Sequence, residues 1–246
     1  MRKSFIIISA FLFFSSCDTL NQIAKDLPTN VNNVGLTSAD VAKGLKNALS
    51  VGTDSAVGRL TRPGGYLNDA VTKILLPPEA KVIFDNLSKI PGGQDLVNKT
   101  ITSINSAAED AAKEAAPIFK NAITSMTIND AFGILNGAEN SATTYLKDKT
   151  YSQLTNSFSP KINASLSKPL VFGQSTSKLY SDLIATYNKV SLNGNLFPMV
   201  KTNTLGEYVT TQALTGLFLK VANEESLIRK DPTHRVTDIL QKVFKK

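Results

Sequence analysis

The chain has 246 residues, 42% of them hydrophobic and 19% charged, with one Cys, one His, no Trp and a net charge of +7. A single cysteine excludes an internal disulfide, and one cysteine with one histidine excludes a zinc site built from those residues within one chain. The length suits one globular domain with a sizeable core, whose stability must rest on packing alone.

The N-terminus has the parts of a secretory signal: Arg2 and Lys3, then an apolar run from Phe5 to Phe14, then Ser15 and Ser16 before Cys17. The run is too short to span a membrane, which takes about 20 apolar residues. Phe-Ser-Ser-Cys resembles a lipobox, with Phe14 where Leu is usual. Residues 1–16 therefore read as a signal peptide and Cys17 as the lipidated first residue of the mature chain. Two or more acyl chains make such an anchor effectively permanent. Without Arg2 and Lys3 the net charge falls to +5, a value that on an exported protein points to solubility or anionic lipid and not to nucleic acid.

Residues 17–36 read as a tether, polar and Asn-rich around Pro28. Within it Leu20, Ile23, Ala24 and Leu27 form a helical stripe, so both a flexible coil and a short docked or interfacial helix fit. Residues 37–246 read as one all-α, bundle-like domain. Thr37 with Asp40 suits a capping box, and Val41, Leu45, Ala48, Leu49, Gly52, Ala56 and Leu60 make a 3–4 stripe ended by Arg62-Pro63-Gly64-Gly65. Residues 74–77 are extended by the prolines that follow, and Pro78 starts a helix to Ile90. The next stripe runs from Val97 to Met126 through an alanine-rich middle that admits a close neighbour. Pro117 should kink or divide it.

Thr127 and Asp130 cap a short helix ending at Asn136-Gly137. A longer one runs from about Asn140 to Leu166, interrupted near Pro160. Residues 177–190 form the next helix, and 193–201 are loop. The helix over 204–230 is apolar on a wide face that includes Leu214, Phe218 and Leu219. Asp231-Pro232 ends it, and Thr233 caps a last helix to Phe244.

No residue pattern carries catalysis. A Ser-His-Asp triad would need His234, which stands in Asp-Pro-Thr-His-Arg and reads as structural or solvent-exposed. No phosphate-binding glycine loop or nucleophile elbow is present. No catalytic residue, metal or cofactor is assigned.

Five segments resemble the DUF4197 family, a bacterial lipoprotein-associated domain of unknown function. They are Gly44-Leu45-Lys46-Asn47-Ala48-Leu49; Asn105-Ser106-Ala107-Ala108-Glu109 with Met126-Thr127-Ile128-Asn129-Asp130-Ala131; Ala142-Thr143-Thr144-Tyr145; Tyr208-Val209-Thr210 with Gly216-Leu217-Phe218; and Glu224-Glu225, Ile228-Arg229, Arg235 and Asp238. Ser106 departs from a frequent Arg and Leu146 from a usual aromatic. The resemblance implies a helical, envelope-localised domain and no known reaction.

Among these residues Asn105 and Glu109 lie one turn apart beside the alanine stripe. Glu225 and Arg229 form an i,i+4 pair, and Asp238 is within a turn of Arg235. Arg229 and Arg235 are expected to tie the last helices to Glu109 or Asp130. Asn105, Glu109, Asp130, Glu225, Arg229, Arg235 and Asp238 are thus the candidate structural or partner-binding network. Lys242, Lys245 and Lys246 are a candidate basic patch toward anionic lipid or an acidic partner.

The expected function is a membrane-anchored envelope protein that binds or supports a partner without catalysis. It would be held by its N-terminal lipid, face the periplasm, and sit at the outer membrane ahead of the inner. The alternative is a carrier of an apolar ligand in a cavity between helices.

Overall fold

The computed structural model describes residues 37–246 apart from 89–90, 172, 191, 193–194, 197, 201–203, 236–238, 240 and 242–246. Cys17 and the tether, Asp238 and the three C-terminal lysines therefore lie outside the described residues.

Helix α1 (Ser38–Leu60) buries the expected stripe through Leu45, Ala48, Leu49, Ala56 and Leu60. It ends in turns where Gly64 takes φ +79, a left-handed conformation open to glycine without a side-chain clash. A non-helical connection over residues 61–77 leads to a 3-10 turn (Pro78–Ala80) and α2 (Lys81–Leu87), with the proline in the first turn. Gly92, again left-handed, precedes α3 (Gly93–Ala112). The alanine stripe then breaks at Lys113-Glu114, and α4 (Ala115–Thr124) starts afresh. Pro117 falls in that first turn, where a missing N–H costs nothing, so the stripe is divided and not bent.

Helix α5 (Ile128–Leu135) opens with a full capping box: Thr127 accepts from the Asp130 N–H, and Asp130 accepts from the Thr127 N–H. Helix α6 (Ser141–Leu166) corrects one expectation, because it runs unbroken through Pro160. Pro160 and Asn156, whose carbonyl loses its i+4 partner, both lie on the exposed face. Water can satisfy that carbonyl while Leu154, Phe158 and Ile162 stay buried on the other side. A two-strand hairpin, β1 (Pro169–Val171) with β2 (Gln174–Ser175), was not expected and is the one sheet among the described residues.

Helix α7 (Thr176–Val190) precedes a loop, and α8 (Leu205–Lys230) follows with Thr204 accepting from the Glu207 N–H. Helix α8 is the central element, packed on α6, α1 and α3. Its wide apolar face is explained by that burial, except at Leu219, which is exposed. The close neighbour of the alanine stripe is α6, opposite Ala107, Ala108, Ala111 and Ala112, all fully buried. After α8 comes a 3-10 turn (Pro232–His234). The N–H and hydroxyl of Thr233 both donate to Asp231 Oδ1, and the helix start it was expected to cap lies outside the described residues. Ile239 is helical and its side chain would meet a Cβ placed on Gly44 at 3.0 Å.

Candidate functional site

Asn105 is fully buried on α3. Its Oδ1 accepts from the Ile74 N–H at 2.8 Å, and its Nδ2 donates to the Ile74 carbonyl at 2.7 Å and to Ile101 O at 2.7 Å. The amide thus pairs with both backbone groups of one extended residue, as a neighbouring strand would. One turn on, Glu109 accepts from the Tyr66 N–H at 3.2 Å. The Tyr66 ring is fully buried and its hydroxyl donates to Ala213 O on α8 at 2.9 Å. Burial first, and the Glu109 charge second, push that phenol far above its ordinary range.

The same connection is met by α8 at two more points. Lys220 pairs with Asp69, the main cause holding that carboxyl below its usual range. A Cβ on Gly216 would stand 3.0 Å from the Tyr66 ring and 3.3 Å from Thr72 Cβ, so glycine is what lets the connection approach.

Glu225 and Arg229 work elsewhere. Helix α6 has no side-chain cap from its own Asn140. Glu225 supplies one from α8: its carboxylate accepts from the N–H groups of Ala142 at 3.0 Å and Thr143 at 2.8 Å, and from the Thr143 hydroxyl at 2.7 Å. Arg229 donates to Glu225 at 3.0 Å and to Ile134 O, in the last turn of α5, at 2.9 Å. An anion therefore meets a helix N-terminus and a cation the preceding C-terminus, the arrangement both helix dipoles favour. Arg235 donates to the carbonyls of Ile228 and Arg229, which closes the end of α8.

The six described network residues are thus not one site. Asn105 and Glu109 pin the 61–77 connection, Glu225 and Arg229 join α5 to α6, and Asp130 serves its own capping box, with its carboxyl held low first by the Thr127 N–H. The expected ties of Arg229 and Arg235 to Glu109 or Asp130 give way to these partners, because helix ends and a threaded loop present backbone groups nearer to hand. Sequence reading missed Tyr66, Asp69, Lys220 and the Arg59–Glu224 pair, in which Glu224 is buried and Arg59 half exposed. His234 lies part-exposed with Nδ1 2.9 Å from Asp231 Oδ2.

Three surface clefts carry other chemistry. One of about 490 Å³ lies between α2, α3 and residues 75–78, with Leu75, Leu76, Phe84, Val97, Ile101 and Tyr208 as its apolar lining. Another, of about 340 Å³, contains Ser106 with Lys99, Asp110 and Lys168 beside Ala107, Pro169 and Leu170. The third, about 440 Å³, holds Lys120 and Asp54, whose carboxyl is raised by burial against the pull of Lys120. Among the described residues, no three His, Cys, Asp or Glu gather as a metal site, and no helix is long and apolar enough to cross a membrane.

The family described as "Protein of unknown function (DUF4197)" matches residues 35–245. The chain belongs to the DUF4197 family. The match covers every element of the body. The two positions read as departures from the family pattern have different settings: Leu146 is fully buried in the core, whereas Ser106 lines the cleft with Lys99 and Asp110. No curated protein and no solved structure matches.

Proposed function

We propose that this DUF4197 protein is a lipid-anchored envelope protein, held by Cys17 at a membrane and facing the periplasm, whose helical body binds a protein partner without catalysis. The observation that carries this reading is where the polar residues of the family segments go. Asn105, Glu109, Glu225 and Arg229 all end on backbone groups of neighbouring elements, which leaves them holding the shape. The apolar cleft between α2 and α3 is then the concave surface offered to a partner. It is open along one side and carries the Lys81–Asp85 pair at its rim. That suits an amphipathic segment laid into a groove better than a lipid, which a carrier would enclose over most of its surface.

Its volume, about 490 Å³, favours a second reading as well, the carrier of an apolar chain. A photo-crosslinking side chain at Ser88 or Lys81, in the intact protein in its own membranes, separates the two. A discrete protein adduct supports the partner reading, and adducts to lipid alone support the carrier. Absence of both at both positions removes the cleft as the binding surface. The anchor has its own test: Cys17→Ala should release the protein from membranes and abolish acyl labelling, and unchanged retention would overturn it.

A further inference from the structure

Four large aliphatic side chains stand in solvent within ten residues: Val190 is 61% exposed, Leu192 56%, Leu196 62% and Met199 47%. Single exposed apolar residues are ordinary, but a cluster on one loop is not. The base of this loop is tied to the body. Asn188, in the last turns of α7, accepts from the Val200 N–H at 3.0 Å and donates to Val200 O at 3.1 Å. Val200 itself is buried, so the base of the loop is clamped to the body.

Inside the loop, Leu192 N–H donates to Lys189 O, and the Asn195 side chain donates to Leu192 O at 3.0 Å. Leu192 also adopts φ 48, the one positive φ outside glycine among the described residues. A bulky residue in that region is strained. The loop therefore holds its leucine outward against its own backbone preference. Its charge is one-sided too: the sequence has no acidic residue between Asp182 and Glu207, while Lys189 borders the cluster.

We propose that this loop is a lipid-docking element, which sets Val190, Leu192, Leu196 and Met199 into the headgroup–acyl boundary of a membrane carrying anionic lipid, with Lys189 at the headgroups. Apolar side chains next to a base tied to the body enter that zone with less chain to order, and a stretch of sequence without Asp or Glu adds no carboxylate to repel anionic headgroups. The inference rests on the anchored reading only in that the body must meet a lipid surface, and it is a contact separate from the acyl group.

The test therefore uses the mature chain, residues 17–246, with Cys17→Ala, which carries neither the apolar 5–14 run nor a lipid, so loss of the anchor and loss of the loop contact are read independently. With vesicles of about three parts phosphatidylcholine to one part phosphatidylglycerol, a charge density that attracts lysines, the protein should co-sediment. Leu192→Ser with Leu196→Ser should lower the partition constant about tenfold or more, since two exposed leucines supply much of the buried apolar area. Both sites are exposed, so the melting temperature should hold. A solvatochromic probe on Leu196→Cys should shift to the blue with vesicles. Retention of part of the binding at about 0.5 M salt separates insertion from pure charge attraction, which is screened there. Equal sedimentation of the double variant, a probe that stays in water, or dimers that the double variant abolishes would each overturn the proposal.

Discussion

Residues 61–77 and the loop that follows α7 are both connections between helices, and they differ in what they bury: the first leaves Val71 and Leu75 exposed but takes two large side chains inward. The first carries Tyr66 and Ile74 into the core. Its backbone, taken out of water, is answered by side chains of two helices: Asn105 and Glu109 from α3, with Gly216 and Lys220 of α8 closing over it. Among its described residues the second is tied at its base by Asn188 to the buried Val200 and keeps Val190, Leu192, Leu196 and Met199 outside. A non-helical segment can be buried only where something replaces water at its N–H and C=O groups. The sequence supplies such replacements at Tyr66 and Ile74 in the first connection and at Val200 in the second.

The strongest way to break this contrast is Asn105→Leu. It fills the space but leaves the Ile74 N–H and C=O buried and unpaired, so urea unfolding should show a loss of about 3–5 kcal/mol. A loss under 1 kcal/mol would mean the connection is not held by that amide. Next, Gly216→Ala pushes a methyl against Tyr66 and Thr72 and should cost about 1–3 kcal/mol. Gly58→Ala, with open space around its Cβ in α1, should be neutral or stabilise by up to about 1 kcal/mol. If the two alanines behave alike, close approach at Gly216 is not what the glycine provides.

A smaller effect follows from Asp69. Its folded pKa lies below the unfolded value, chiefly through Lys220, so its stabilisation is present above the unfolded value and is lost as pH falls through the folded one. Melting temperature should therefore decline on acidification below about pH 4. Asp69→Asn should melt lower at neutral pH and show a shallower acid decline; an identical acid profile would detach Asp69 from that stability. The smallest change in global stability belongs to Asn188→Ala, about 0.5–1 kcal/mol. Hydrogen exchange should nonetheless quicken around Leu192 and Val200 while the 61–77 connection stays protected. Matching exchange in both places would erase the distinction.

Helix positions were legible because apolar residues at 3–4 spacing report a buried stripe wherever the helix is packed on one main side, as Leu45, Leu49, Ala56 and Leu60 do. Pro160 misled because its effect depends on which way the freed Asn156 carbonyl faces, and periodicity places Pro160 without saying that water reaches it. The short hairpin around Gly173 has too few residues to show alternation. In the candidate network, Thr127 with Asp130 was readable since capping is local. The Glu225–Arg229 pair was readable from its i,i+4 spacing, but the backbone partners of Glu225 lie more than eighty positions away in sequence, and no spacing rule points from α8 to Ala142. Asn105 sits four residues after Ile101 and so belongs to the stripe itself. A buried amide there signals a polar contact, although the identity of Ile74 as its partner is a matter of tertiary path.

The borrowed cap on α6 has a consequence for the order in which the chain can fold. Helix α6 starts at Ser141, but the carboxylate that answers its first N–H groups arrives with Glu225, near the end of the sequence. As the chain emerges from its N-terminus, α5 and α6 face each other across a junction that neither can close. Closure must wait for nearly the whole chain, which sets a long loop-closure step before the reward of those contacts. Chains cut short before residue 225 should therefore stay open to protease around residues 136–143, late to close however early the two helices themselves have formed.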